Sequence, residues 1–307
     1  MKCGATSHEI LNLENKLISD NLEVAGRRFE WGRRTYLMGI LNATPDSFAG
    51  DSLGDDVGRA VAQARAFVAA GADILDIGGE STNPYHSAPV AIEEEIRRVL
   101  PLIRAIAGEL DVPLSIDTRK TQVAAAALEA GAHFINDITG LADLAMRELA
   151  ARTGAPVIIM HSRGTPQTMM TMTDYGGQLI PELLKFFRER VALVLAAGVQ
   201  PANIILDPGI GFAKDGAQNI EILQRLAELR NELSYPLLLG VSRKGFVGRL
   251  VAGGLDHAPV SPQQRIFGTA AAITMAIAGG ADIVRVHDVA AMADVIKVAD
   301  AIVRPLT

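Results

Sequence analysis

The chain has 307 residues, 49% of them apolar, a length that suits one large α/β barrel or two smaller domains. Its net charge of −6 and pI near 5.6 argue against a general nucleic-acid or acidic-membrane surface. The single cysteine, Cys3, cannot form an internal disulfide, and the N-terminus lacks the apolar segment of a signal peptide. We therefore expect a cytoplasmic protein with neither nucleic acid nor membrane as a partner.

The first 35 residues are predicted to form a short N-terminal extension. Ser7–Leu22 has the pattern of a capped helix, and a short Arg-rich strand or hairpin is expected after it. The remainder, residues 36–307, contains no linker that would divide it. We therefore predict one main domain that begins near Tyr36.

Eight short runs of this domain are rich in Ile, Val and Leu and do not alternate with polar residues. Such runs are typical of parallel strands that are buried on both faces. The predicted strands are Tyr36–Thr44, Asp73–Glu80, Pro113–Thr118, His133–Ile138, Pro156–Ser162, Ile204–Ile210, Pro236–Ser242 and Asp282–Asp288.

Helical patterns with one apolar face lie between these strands. They cover Gly58–Ala70, Val90–Ile106, Gln122–Ala130, Ala142–Arg152, Ile180–Ala196, Asn219–Leu229 and Gln264–Ala278. Glycines that stop a helix follow most of them, namely Gly71, Gly131, Gly154, Gly198 and Gly280. The alternation predicts an α/β fold of the (β/α)8 TIM-barrel type. An open doubly wound sheet is the alternative, but no G-x-G-x-x-G follows the first strand.

Positively charged side chains end the last two predicted strands. Arg285 and His287 are two residues apart and therefore point to the same side of their strand. Ser242, Arg243 and Lys244 end the strand before it. In a barrel, strand ends meet at one mouth, so four cations there indicate a phosphorylated or carboxylated ligand. The alternative is that these cations pair with nearby acids, and Lys244 could instead form a Schiff base.

Carboxylate and amide side chains end three other strands. Asp117, Asn136 and Asp207 end strands three, four and six, so we expect them to line the opposite part of the mouth. Together they suit a flat heterocycle that carries N–H donors and a carbonyl acceptor. The alternative is that Asp and Asn cap the helices that follow, especially at Asp117 and Asp137.

Several loops after the strands could also contact a ligand. Phe212 lies in a Gly-rich loop and could stack on an aromatic substrate, although it could equally plug the core. The loops 44–48 and 78–82 carry hydroxyls that can reach a phosphate. Asn42 offers an amide oxygen suited to Mg²⁺ held mainly by substrate phosphates.

Eight segments in order along the chain resemble the dihydropteroate synthases of the pterin-binding barrel superfamily. The resemblance covers roughly Tyr36 to Val303. Its segments are MGILNATPDSF (38–48), GADILDIGGEST (71–82), SIDTRK (115–120), INDITG (135–140), MHSRGTPQTM (160–169), ILDPGIGFAK (205–214), GVSRKGFVG (240–248) and IVRVHDV (283–289).

The resemblance implies a transferase of folate biosynthesis. It would join p-aminobenzoate to (7,8-dihydropterin-6-yl)methyl diphosphate with Mg²⁺, as a homodimer. The residues implied to hold the pterin are Asp117, Asn136, Asp207 and Lys244. Those implied to bind the diphosphate are Asn42, Thr82, Arg285 and His287, with Asn42 also at the metal. Those implied to border p-aminobenzoate are Phe212, Ser242 and the stem of Lys244. The catalytic set would be Asp207, Lys244, Arg285 and His287.

Two departures from the family pattern lie in the first two loops. Asn83 stands where the family usually has Arg, and the acid of the first loop is displaced to Asp51. Both positions are implied in loop closure over the substrates. A pterin-binding paralogue with weak or no synthase activity is therefore one alternative. A pterin-dependent methyltransferase of the same superfamily is another, although the SRK and RVHDV segments favour a diphosphate ligand.

Overall fold

The computed structural model describes residues 18–43, 56–82 and 88–304. It begins with a hairpin in which β1 (Asn21–Val24) pairs antiparallel with β2 (Arg27–Glu30). The two turn residues between them both have positive φ, the geometry of a type I′ hairpin. The predicted Arg-rich hairpin is confirmed. The predicted helix Ser7–Leu22 is wrong at its C-terminal end, where Asn21 and Leu22 belong to β1; residues 7–17 lie outside the described part.

Eight parallel strands form the main sheet. They are β3 (Tyr36–Asn42), β4 (Ile74–Gly78), β5 (Leu114–Asp117), β6 (Phe134–Asp137), β7 (Val157–Met160), β8 (Ile204–Asp207), β9 (Leu238–Leu239) and β10 (Ile283–Val286). Their order is β8-β7-β6-β5-β4-β3-β10-β9, and a parallel bridge between Leu206 and Leu237 joins its two ends. The predicted (β/α)8 barrel is confirmed.

Helices connect the strands. They are α1 (Val57–Ala69), α2 (Ile92–Ala107), α3 (Thr121–Glu129), α4 (Leu144–Thr153), α5 (Leu179–Ala196), α6 (Gly216–Gln224), α7 (Leu226–Leu233), α8 (Gly245–Val251), α9 (Ile266–Ala278) and α10 (Val289–Val303). Short 3-10 helices lie at Met169–Thr171, Pro201–Asn203 and Pro262–Arg265. The single helix predicted over Asn219–Leu229 is divided at Arg225, and the prediction missed α8 and α10.

The predicted junction of helix, glycine and buried strand recurs in the structure. Gly71, Gly131 and Gly280 have φ of +100°, +113° and +93°. This left-handed region is costly for a residue with a Cβ, so glycine ends each helix there and turns the chain into the next strand. At Gly131 a Cβ would also lie 2.8 Å from that of Ala107.

The barrel interior divides into two halves along the strands. The lower half is apolar and is covered by the hairpin, since Leu22, Phe29 and Trp31 pack against inward-facing barrel residues. Those barrel residues are Tyr36, Met38, Ile74, Phe134, Ile158, Ile205, Leu238 and Ile283. Because side chains alternate along a strand, the residue two places later in each strand points into the upper half. Those positions are polar in four strands, as Asp76, Asn136, Asp207 and Arg285, and apolar in β3 and β7, as Ile40 and Met160. No helix in the described part of the chain is long and apolar enough to cross a membrane.

Candidate active site

The upper half of the barrel gathers predicted site residues from different strands into what we call the polar pocket. Asp117 ends β5, Asn136 lies in β6, Asp207 ends β8 and Arg285 lies in β10. Parallel register places Asp117 beside Asn136 on the neighbouring strand. The prediction that these strand ends share one mouth is confirmed for these side chains.

Arg285 links opposite parts of the pocket. Its Nη2 donates to Asp117 Oδ2 at 2.7 Å, and its Nε donates to Asp76 Oδ2 at 2.5 Å. We expected the cations and the carboxylates to line separate parts of the mouth, and this was wrong. The arginine is long enough to cross the barrel interior from β10, where both carboxylates offer it a charge-assisted hydrogen bond.

Asp76 was missed by the sequence analysis. It is fully buried in β4, and its Oδ2 accepts hydrogen bonds from both Arg285 and Asn136 Nδ2, the latter at 3.1 Å. Asp76 therefore orients two predicted site residues at once. A signal was present in the sequence, because a carboxylate in the middle of an apolar strand, two residues before Gly78, faces the barrel interior.

Burial raises the pKa values of two carboxyl groups in the pocket. The pKa of Asp117 rises to about 7, because desolvation outweighs the opposing attraction of Arg285, and Asp76 adds repulsion. Desolvation also raises the pKa of Asp207 to about 6, against the Gly209 N–H and the charge of Lys244. Both groups thus change charge close to neutral pH, which is typical of functional sites.

Lys244 enters the pocket from the loop after β9. Its ammonium lies 4.4 Å from the centre of the Phe212 ring, a cation–π contact that also keeps the ring beside the pocket. The chain passes so close at Gly211 that a Cβ there would lie 3.0 Å from Lys244 Cδ. Burial lowers the pKa of Lys244 to about 8, with Asp207 opposing that effect.

The other two predicted cations differ from expectation. Burial lowers the pKa of His287 to about 3, so its ring is neutral at neutral pH, and its Nδ1 lies 3.0 Å from Ser242 Oγ. Arg243 forms a two-pronged ion pair with Asp288, at 2.8 and 2.6 Å. The prediction of four cations at one rim was therefore wrong. The positive charge of the described pocket comes from Arg285 and Lys244.

The helix-capping alternative is wrong at Asp137, because α4 is capped by Asp143. Asp137 alternates outward in β6 and binds the turn that follows its own strand. Its carboxylate accepts hydrogen bonds from the backbone N–H groups of Thr139, at 2.7 Å, and Leu141, at 3.1 Å. Asp117 instead faces inward and bonds Arg285. Alternation along the strands thus separates the structural aspartate from the pocket aspartate.

Asn42 ends β3, and Thr82 lies in the loop after the neighbouring strand β4, which ends at Gly78. Asn42 is in register with Gly78 of β4 and is partly buried, and Thr82 is also partly buried. Their oxygens are hard donors of the kind that Mg²⁺ prefers. The predicted contacts of the loop 44–48, and the departures at Asp51 and Asn83, lie outside the described residues.

Comparisons with known proteins place almost the whole chain among its relatives. Residues 38–287 match the family model described as pterin binding enzyme. A dihydropteroate synthase of Synechocystis is 50% identical over 92% of this chain and 95% of its own length. The solved Yersinia pestis dihydropteroate synthase with a sulfonamide drug complex is 39% identical, with a TM-score of 0.85 over 92% of this chain and 98% of its own.

A further solved structure is that of the Xanthomonas albilineans dihydropteroate synthase in complex with 7,8-dihydropteroate. It is 35% identical, with a TM-score of 0.78, and the alignment covers 92% of this chain and 98% of that one. Sequence and fold thus agree along almost the whole molecule. The chain belongs to the pterin-binding enzymes, as a member of the dihydropteroate synthase family.

Proposed function

We propose that this protein condenses p-aminobenzoate with (7,8-dihydropterin-6-yl)methyl diphosphate, giving 7,8-dihydropteroate and diphosphate. The observation that carries the proposal is the polar pocket itself. Two carboxylates, one amide and two cations converge there from different strands and loops, in a chain of the dihydropteroate synthase family. This arrangement suits a heterocycle with an anionic leaving group.

The pterin ring is expected to lie among Asp117, Asn136 and Asp207. Its N–H groups would donate to the two carboxylates, and its ring carbonyl would accept from an amide or ammonium N–H. Asp207 is already oriented, because its Oδ1 accepts the Gly209 N–H at 2.7 Å. Asn136 is oriented by Asp76. Such preorganised groups reduce the cost of ordering on binding.

The diphosphate is expected to bind between Arg285, His287 and the ends of β3 and β4. The guanidinium can bind phosphate oxygens in bidentate fashion, and neutral His287 retains one N–H to donate. Asn42 would hold a Mg²⁺ ion, with Thr82 beside it, and the ion would neutralise charge on the departing diphosphate. The residues present fit a magnesium ion. Asn42 is the last of the β3 side chains that alternate toward the barrel interior, and its amide oxygen is a suitable ligand.

The transfer itself needs little covalent participation by the protein. As the C–O bond to diphosphate breaks, positive charge develops on the pterin methylene, and the Asp207 carboxylate stabilises it electrostatically. The amine of p-aminobenzoate attacks as a neutral nucleophile and loses a proton afterwards. Phe212, Ser242 and the stem of Lys244 would hold the arylamine at the attacking distance.

The test is incubation of the purified protein with the pterin diphosphate, p-aminobenzoate and Mg²⁺, with pteroate measured by mass spectrometry. Pteroate should form, and Arg285→Ala should abolish it. Arg188→Ala serves as the control, because Arg188 is 58% exposed and pairs with Glu232, which is itself 52% exposed. Tight pterin binding without turnover would favour the inactive paralogue. Turnover only with a methyl donor, independent of Mg²⁺, would favour the methyltransferase.

We also propose that the protein is a cytoplasmic homodimer. Large apolar side chains on α9 and α10 support a second copy as partner: Phe267 is 86% exposed, Met275 56%, Val298 61% and Ile302 77%. Phe267→Glu should shift sedimentation to that of a monomer. Leu144→Glu, at a 55% exposed apolar position on α4, should not. Cell fractionation tests the location.

A further inference from the structure

A second buried lysine lies beside the polar pocket, and the proposed reaction does not use it. Lys214 belongs to the loop between β8 and α6 and is 1% exposed. Its Nζ lies 2.9 Å from the Phe212 carbonyl oxygen, 3.1 Å from that of Gly209 and 3.0 Å from Nδ1 of His161. Burying an ammonium is costly unless its N–H groups have partners.

The three short contacts of Lys214 match the three N–H groups of an ammonium. The carbonyl oxygens of Gly209 and Phe212 can only accept. Burial lowers the pKa of His161 well below its usual range, so the ring is neutral. A neutral ring that carries its proton on Nε2 accepts at Nδ1, which gives every N–H of Lys214 a partner.

Lys214 thereby fixes both ends of a short loop that carries two site groups. The N–H of Gly209 donates to Asp207, and Phe212 presents its ring to Lys244. The C-terminal end of the loop is anchored to α6, because Asp215 caps that helix in a capping box with Gln218. Lys214 thus acts on the pocket through its backbone contacts and its charge.

We infer that Lys214 is a positioning residue, whose buried ammonium holds the loop 209–212 so that Phe212 meets p-aminobenzoate and Asp207 stays ionised. The inference rests on the proposed function and extends it to a residue outside the pocket. The ammonium acts as an internal cation that gathers loop carbonyls, much as a bound metal ion would.

The charge of Lys214 gives the inference a signature that packing alone would not produce. Burial raises the pKa of Asp207, and four groups lower it: the Gly209 N–H, Lys244, Lys214 and Arg285. Around Lys214 itself, Asp207 favours the charged form, while burial, Lys244 and Arg163 lower its pKa to about 7. Near pH 6 Lys214 is therefore charged and helps to keep Asp207 ionised.

Lys214→Met tests the inference, because it keeps an unbranched side chain that is one atom shorter and removes the charge and the donors. We expect KM for p-aminobenzoate to rise by about tenfold, and the acid limb of the pH profile to move to higher pH. Lys185→Met, at an exposed lysine of α5, is the control and should change neither. An unchanged acid limb and an unchanged KM in a folded Lys214→Met variant would overturn the inference.

Nitrogen-15 NMR of the wild-type protein supplies a test that does not depend on that variant folding. Near pH 6 the His161 ring should be neutral, with its proton on Nε2. A proton on Nδ1 would remove the third acceptor and overturn the inference. If the wild-type protein made no pteroate, the proposed function would fail, whereas the NMR result would still decide whether Lys214 is held as inferred.

Discussion

Arg285 and Asp117 form an ion pair across the barrel, from β10 to β5, with Nη2 and Oδ2 2.7 Å apart. The pair joins a residue expected to bind diphosphate to a residue expected to bind the pterin. A pterin that donated its N–H groups to Asp117 would compete with Arg285 for that carboxylate. The guanidinium would then have hydrogen-bonding capacity for the phosphates while Asp76 held its Nε. We therefore expect binding of the ring and of the leaving group to be coupled.

Asp117→Ala should weaken pterin binding by about 2–4 kcal/mol, because buried N–H donors of the ring lose a charged partner. Isothermal calorimetry with the pterin alone measures this directly. Asp143→Ala is a suitable control, since Asp143 caps α4 away from the pocket. Pterin affinity equal to that of the wild type would contradict the placement of the ring beside Asp117.

Arg285→Lys keeps one positive charge but removes the fork that reaches Asp76 and Asp117 together. A lysine ammonium cannot reproduce bidentate recognition. We expect kcat/KM for the pterin diphosphate to fall by about 100-fold, measured by initial rates at saturating p-aminobenzoate. Activity within twofold of wild type would show that a point charge is sufficient at this position.

Activity should fall on the acid side of neutrality. The pKa values of Asp117 and Asp207, about 7 and about 6, lie above the ordinary 3.8, because burial disfavours their charged forms. As the pH falls through these values both groups gain a proton, and neither can then accept fully from pterin N–H groups. The pH profile of kcat/KM should therefore decline below about pH 7. A plateau that extends to pH 5 would contradict the assignment.

Gly209→Ala should abolish activity and destabilise the protein. Gly209 has φ of +70°, and a Cβ there would overlap the carbonyl oxygen of His161. Gly154→Ala is a matched control, since Gly154 has the same φ and open space around it. In chemical denaturation, the free energy of unfolding of the Gly154→Ala control should fall only by the cost of the left-handed conformation, about 1–2 kcal/mol. Equal losses in both variants would show that the overlap at Gly209 is relieved.

Phe29→Ala should destabilise the barrel without changing substrate binding. The ring is 2% exposed beneath the barrel, in contact with Trp31, Tyr36 and Phe134. Its removal should lower the free energy of unfolding by about 3–5 kcal/mol. Leu144→Ala, at an exposed position, is the control. A small loss of stability would mean that the hairpin is not required to close the barrel floor.

Local features of the sequence determined the barrel and much of the candidate site. Uninterrupted apolar runs marked the parallel strands, and glycines with positive φ ended the helices as expected. The polar residues Asp117, Asn136, Asp207 and Arg285 stood at strand ends, which any parallel barrel brings to one mouth. The short helix α8 was missed because its seven residues include two glycines, which are poor helix formers.

Only the tertiary structure decided which side chains meet inside the barrel. Distances across the interior depend on closure of the sheet, so the contacts of Arg285 with Asp76 and Asp117 have no signature in local sequence. The same holds for Lys214, whose ammonium is buried against His161 of a neighbouring strand end. The tertiary structure also decided the charge states of the site residues. Burial made His287 neutral and raised the pKa values of Asp117 and Asp207. Desolvation depends on everything packed around a group, and the chain acquires that environment only when it folds.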